Sequence, residues 1–493
     1  MKKKIIISFL AICLCVISLF GLVGCKTPLN MPNSLSVTSN GGAVVRVGDY
    51  IYFTNGFVKT ADLKYGDNRK NITQGAIYRV KVEINKALEY DDKGNMKGAE
   101  KIADNIGGFS SLNLFVYDEY LYYSTPLSTP DKQGNGQFGR TVIKQIKLNG
   151  ESDRDIYTTN SSSPITWAVY KLGGQVVIGV LDGENLVSIN VTTNKSNTLA
   201  QKVSSVVFPK VQEYNPASST SNLTAGEQAV YYTRTDDAIN GNAIYKANLK
   251  TLEGNDNPQI NANNGSEYKV VDYKTDGLLG KLYYTVTEQG STNYFGTTVN
   301  ENGEVLSSQT SETTQYTTLA YEQVDFILNP RDEAIAIYKN SQDKKEVLLV
   351  NYIQTTKISD SEISILAIRD NFIYGYNSNN QLVKIGLDAE HKTTVIANFE
   401  NEKDENDKEI EDGKDAFYSA GIDTDKLNKN LFVDFDGDYM YFFRNYKNND
   451  GKESIYLARV NVNSSEEQAS EVETVGQMEE SHKYVISETA SEE

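Results

Sequence analysis

The stretch GDYIYFTNG, residues 48–56, places Tyr-Ile-Tyr-Phe directly after a Gly-Asp pair. Gly-Asp is turn chemistry, and the aromatic and β-branched run behind it has the composition of a strand. The arrangement recurs. Clear copies are DEYLYYSTP (118–126), EQAVYYTRT (227–235), GKLYYTVTEQG (280–290), DNFIYGYNSN (370–379) and GDYMYFFRNY (437–446). Weaker ones are GGQVVIGVLDG (173–183) and RDEAIAIYKN (331–340). Aligned on the residue before each apolar run, the copies fall between positions 49 and 438, a mean step of roughly 56, close to a propeller-blade period with loop insertions.

Each copy is followed by a second strand-like run, among them GAIYRVKVE (75–83), RTVIKQIKLNG (140–150) and ESIYLARVNV (453–462). A more polar third run often follows, as in RDIYTT (154–159) and KTTVIAN (392–398). Another apolar run precedes many copies, as in SLNLFVYD (111–118), KVVDYKTD (269–276) and EISILAI (362–368). Four short strands per unit, joined by Gly, Asn and Asp turns, predict an all-β fold, a β-propeller of seven to eight four-stranded blades, eight by direct count. In such a fold a blade is covered on both faces, so Tyr-Ile-Tyr-Phe need not alternate with polar residues. A string of β-sandwich domains would show units of about 100 residues, and a β-helix a much shorter period.

The amino terminus reads MKKKIIISFLAICLCVISLFGLVGC, three lysines and an apolar run ending at Cys25. That is the pattern of an export signal. A retained membrane anchor is the alternative, because the run approaches the ~20 residues that span a bilayer. Leu22, Val23, Gly24 and Cys25 resemble the lipobox of bacterial lipoproteins. The resemblance implies cleavage before Cys25, acylation of its thiol, and a location at the cell membrane, lipid-anchored on the extracytoplasmic face. All three cysteines (13, 15 and 25) lie at or before that cut, so the mature domain is expected to hold together without disulfides. The expected organisation is a signal peptide over 1–24, a lipidated N-terminus and linker over 25–40, the propeller over 41–476 with an acidic insertion near 400–430, and an acidic flexible tail over 477–493.

The formal charge is −18. Such a surface disfavours nucleic acid, and no nucleic-acid partner is expected. Acids concentrate in ENEKDENDKEIEDGKD (400–415) and beyond Ser464. Neither run has the glycine spacing of an EF-hand loop, and they read as solvated segments.

The copies at Gly48-Asp49-Tyr50-Ile51-Tyr52-Phe53 and Gly437-Asp438-Tyr439-Met440-Tyr441-Phe442 resemble the Tyr-rich, YWTD-like propeller repeats of Gram-positive surface lipoproteins. The full tetrad is absent, so receptor-type binding is not carried over. The architecture also resembles an eight-bladed lipoprotein that assists outer-membrane protein assembly, although its recurrent tryptophans are here reduced to Trp167.

Catalytic candidates are sparse. Histidine occurs at 391, in a turn-like DAEHKTT, and at 482, in the acidic tail. Neither placement suits a Ser-His-Asp triad or a zinc site, and no metal or cofactor is expected. SSPITW (162–167) lacks the Asp and Gly of a sialidase Asp-box. DFDGDY (434–439) gathers three aspartates and reads as the turn of the last blade, with a cation or substrate contact as the alternative. The expected function is a non-catalytic binding or scaffold lipoprotein of the cell envelope. Its partners would be the bilayer, through acylated Cys25, and an envelope protein or glycan. A glycan-active enzyme using a carboxylate pair is the alternative, and an assembly factor a minor one. The insertions at 57–75, 127–139 and 400–430 are the loops expected to carry recognition.

Overall fold

A computed structural model describes residues from Pro28 to Gln477, apart from 57–74, 104–111, 131–135, 212–227, 236–242, 307–313, 316–321, 329–333, 340–344, 399–432 and shorter breaks. The leader, the lipobox residues, His482 and the acidic insertion lie outside the described residues.

The described elements are all strands, apart from turns. The first sheet takes Val44–Val47, Tyr50–Thr54, Ile77–Lys81 and Glu100–Ala103, in that order. Sheets over 115–158, 166–200, 203–254, 210–315, 322–359 and 363–398 follow. The last comprises Val433–Asp436, Tyr439–Lys447, Glu453–Asn461 and Val472–Val475. Within each sheet, sequential strands pair antiparallel. The sheet over 210–315 adds a short parallel edge strand, Lys210–Val211, against Lys274 and Thr275. Both weak sequence copies supply second strands, Gln175–Asp182 and Ala334–Lys339.

Gly48 and Gly437, at φ 57° and 58°, make the turns before the second strands of the first and last sheets. A side chain there would be strained, which explains the Gly-Asp signature. The turn at Asp370 and Asn371 uses φ 50° and 70°, a conformation that Asp and Asn tolerate better than other non-glycine residues.

The Tyr-Ile-Tyr-Phe runs are buried from both sides. Ile51 and Phe53 join a cluster with Tyr441, Phe443 and Leu457 of the last sheet, while Tyr52 joins Leu121, Tyr123 and Ile146 of the second. The same division repeats. Met440 and Phe442 face the sheet over 363–398, and Tyr441 faces the first. Val230 and Tyr232 face the third sheet, and Tyr231 the fifth. In these sheets the middle residue of the second strand is sent forward and its neighbours back.

A polar partner accompanies the forward-facing residue. Tyr52 lies opposite Arg79, Tyr122 opposite Gln145, Tyr231 opposite Lys246, Tyr374 opposite Lys384 and Tyr441 opposite Arg459. The four cations reach a carbonyl of the next sheet. Arg79 Nη1 donates to Leu148 O (3.1 Å), Lys246 Nζ to Asn302 O (3.2 Å), Lys384 Nζ to Val462 O (2.7 Å) and Arg459 Nη2 to Lys86 O (2.6 Å). Tyr52 and Tyr231 add hydroxyl bonds to Leu148 O (3.0 Å) and Gly303 O (2.6 Å). These carbonyls lie just beyond third strands, where the ladder no longer satisfies them.

Arg459 is 1% exposed and paired with Glu473 at 2.6 Å. Arg459→Ala leaves Glu473 and the Tyr441 hydroxyl without their partner. Urea unfolding should show a loss of about 3–5 kcal/mol, against under 1 kcal/mol for an exposed pair such as Lys86–Glu83.

Candidate functional site

Two regions concentrate polar side chains in defined geometry. The first is the contact between the first and last sheets. Arg46, 1% exposed on the first strand, makes a bidentate pair with Asp436, Nε to Oδ1 at 2.7 Å and Nη2 to Oδ2 at 2.5 Å. Its remaining arm donates to Val82 O. Asp434 accepts the amides of Val44 (3.1 Å) and Ala43, and a Cβ on Gly42 would overlap its carboxylate. Asn55 exchanges bonds with Gln477, and Tyr90 donates to Thr474 O.

The three aspartates of DFDGDY therefore do not converge on one ligand. Asp434 clasps backbone, Asp436 holds an arginine, and Asp438 follows the turn, its amide donating to Asn85 Oδ1. Desolvation pushes Asp434 up to about 6, against the opposing pull of the Val44 and Ala43 amides.

The second region is a cavity of about 660 Å³ between the third and fourth sheets, lined by Asn160, Ser161, Asp182, Glu184, Ser204 and Thr235 among others. It is built from the connection at 159–165, the turn at Gly183-Glu184, and the strand ends at Val203 and Arg234. Gly183 sits at φ 61°, so the turn brings Asp182 back over the connection. Asp182, 2% exposed, accepts from Tyr157 Oη (2.8 Å), Asn160 N (2.7 Å) and Ser161 N (2.8 Å), with Asn160 Nδ2 at 3.2 Å. Three of the donors fall on Oδ2 and one, Ser161 N, on Oδ1, so the carboxylate acts as a strut of the cavity wall while Oδ1 keeps a lone pair. The rim offers hydroxyls and amides.

His391 sits in its predicted turn at φ 46°, its Nδ1 3.1 Å from Gly386 O. Trp167 is buried edge-on against Phe115 at 4.9 Å, a core role. Among the described residues no cluster of His, Cys, Asp or Glu could hold a metal ion, and no helix is long and apolar enough to cross a membrane. Leu22, Val23, Gly24 and Cys25 lie outside the described residues. Sequence reasoning missed Arg46, Asp182 and the third-strand cations. LDGE at 181–184 does carry the turn signal, but nothing local marks its carboxylate as a strut.

No family model matches the chain, and no curated protein matches it. Among solved structures it is similar to dipeptidyl peptidase 4 of Porphyromonas gingivalis, at 9% identity and a TM-score of 0.44, over 92% of this chain and 62% of that one. It is also similar to an oligogalacturonate lyase in complex with manganese (12%, TM-score 0.34, over 90% and 98%). A third is apo AztD from Citrobacter koseri (10%, TM-score 0.36, over 73% and 92%). These neighbours are β-propeller-like. The likeness is one of fold and transfers no site residue.

Asp434 gives the contact between first and last sheets a pH signature. A carboxyl whose folded pKa is raised favours folding in its neutral form. Its contribution is complete below the unfolded value of 3.8 and is lost as pH rises through about 6. Urea midpoints measured from pH 3.5 to 7.5 should carry this decline, and Asp434→Asn should flatten it.

Proposed function

We propose that the chain is a lipid-anchored binding protein of the cell envelope, an eight-bladed β-propeller tethered outside the membrane through acylated Cys25. The ring is supported by the forward-and-back division of each second strand, which carries contacts from sheet to sheet, and by the Arg46–Asp436 pair between the ends of the series. The anchor rests on Leu22-Val23-Gly24-Cys25 behind a charged start and an apolar run.

The observation that carries the binding role is the 660 Å³ cavity, with hydroxyls, amides and the exposed Glu184 carboxylate at its rim and Asp182 as its strut. Such a lining exchanges hydrogen bonds with a polar ligand. The ligand class is a hydroxyl-rich glycan or the backbone and polar side chains of an envelope protein.

Two experiments test this reading. Mass spectrometry of the membrane-extracted chain should show diacylglyceryl on Cys25, and Cys25→Ser should abolish it and release the protein to the soluble fraction. An unmodified secreted wild-type chain ends the anchored reading. Lipid-free mature chain should retain a component of envelope extract or a glycan panel without turnover, and Ser204→Phe, which projects a ring into the cavity, should weaken that retention. Turnover abolished by a single Asp or Glu change favours the glycan-active alternative instead.

A further inference from the structure

The described chain is held to the sheets from close behind Cys25. Leu29 N donates to Asn149 O at 3.2 Å, and Leu29 and Met31 pack on the cluster shared by the first two sheets. Ser36 O accepts from Gly48 N at 2.8 Å, and Val37 bridges Val47 on the outer edge of the first strand. The stretch read from sequence as a linker is therefore docked from Leu29 onward. Four residue steps separate Cys25 from Leu29, a reach of at most about 14 Å.

The docking contacts all sit at one end of the sheets. Gly48-Asp49 and Gly437-Asp438 are neighbouring turns, because Arg46 pairs with Asp436 just before them. The 148–150 turn of the second sheet adjoins the first sheet, Leu148 O accepting from Tyr52 Oη and Arg79 Nη1. At this end stand the large apolar side chains exposed among the described residues, Leu35 at 44% and Ile84 at 52%. Leu35 lies between the two residues that meet Gly48, and Ile84 beside Asn85, whose side chain caps Asp438. The charges around them are mutually paired: Lys81 with Asp49 (2.8 Å), Lys147 with Glu119 (3.2 Å) and Lys171 with Asp118 (2.6 Å). Pairing lowers the cost of bringing an acidic protein against headgroups. The 660 Å³ cavity opens at the opposite ends of the strands, at the connections 159–165 and 183–184.

We infer that this turn-bearing end lies flat on the lipid headgroups, with Leu35 and Ile84 seated in the interface and the cavity facing away from the membrane. The inference rests on acylation of Cys25. Headgroup layers are roughly 5–8 Å thick, so a tether of at most about 14 Å holds Leu29 within roughly 10 Å of the membrane surface. Apolar side chains at this depth sit at the headgroup–acyl boundary.

The test uses the acylated chain in vesicles of phosphatidylcholine and phosphatidylglycerol. Leu35→Cys, Ile84→Cys and, at the opposite end, Gln201→Cys each carry an environment-sensitive fluorophore. The Cys25 sulfur, held in a thioether, does not react. Positions 35 and 84 should shift to shorter wavelength on vesicle binding and be quenched by headgroup-spin-labelled lipid, while 201 stays as in buffer. A flexible spacer of about a dozen Gly and Ser residues after Thr27 should weaken both signals without loss of flotation. Floated protein with all three positions alike overturns the orientation and leaves the anchor standing. Protein with no acyl mass on Cys25 that fails to float overturns both.

Discussion

Everything in this fold depends on how one sheet grips the next. Side-chain burial supplies most of the adhesion, but apolar surfaces slide. What fixes the register is a polar bond at a recurring place: a cation on the third strand, lying opposite a tyrosine of the second, reaches a carbonyl just past the neighbouring third strand. Arg79, Lys246, Lys384 and Arg459 all do this. Arg79 and Arg459 are buried, and a buried cation accepts few substitutes, because its desolvation is repaid only where the acceptor lies in the right place. Burial pushes the Tyr52 hydroxyl up to about 12, so at neutral pH it remains a donor to Leu148 O. The tyrosine abundance thus has two causes, ring packing and a hydroxyl that lands on backbone.

The aspartates near residue 434 show how a conspicuous sequence feature can be architectural. Their closeness in sequence raises a cation contact as an alternative to the turn of the last blade. In three dimensions, strand geometry turns Asp434 and Asp436 to different partners on the first strand, a backbone pair and Arg46. The cavity at Asp182 shows the converse. It is assembled from an inconspicuous turn and a serine-rich connection, and its polarity comes mainly from Ser, Asn and Thr.

Much of the fold was legible because strands with unlike neighbours on two sides leave long aromatic runs, and turns at left-handed φ leave glycine. Even the faint copies at 173–183 and 331–340 formed second strands. The grip was not legible. Arg79 and Lys384 look like ordinary solvent-facing alternation within IYRVK and QLVKIG, since sequence period reports which face a side chain takes and not what covers it. Arg46 and Asp436 stand 390 residues apart, and no local pattern joins them. Residues 28–38 look like a polar linker because backbone pairing with Gly48 and Val47 asks little of their side chains. The cavity was invisible for the same reason: its residues acquire meaning only when two sheets place them edge to edge.

The first and last sheets are each built from contiguous chain and meet only through side chains and loop contacts. Among the described residues no strand is exchanged between them, in contrast to Lys210–Val211, which pairs into the sheet after its own. Assembly in chain order therefore leaves Arg46 waiting for a carboxylate made 390 residues later. The entropy of closing a loop this long grows only slowly with length, so the thermodynamic penalty is modest, while the search is slow. Until it finishes, the apolar flank formed by Ile51 and Phe53 is uncovered. A chain cut short before Val433 would keep that flank open permanently, which makes the intact carboxy-terminal segment a checkpoint for reaching a soluble state.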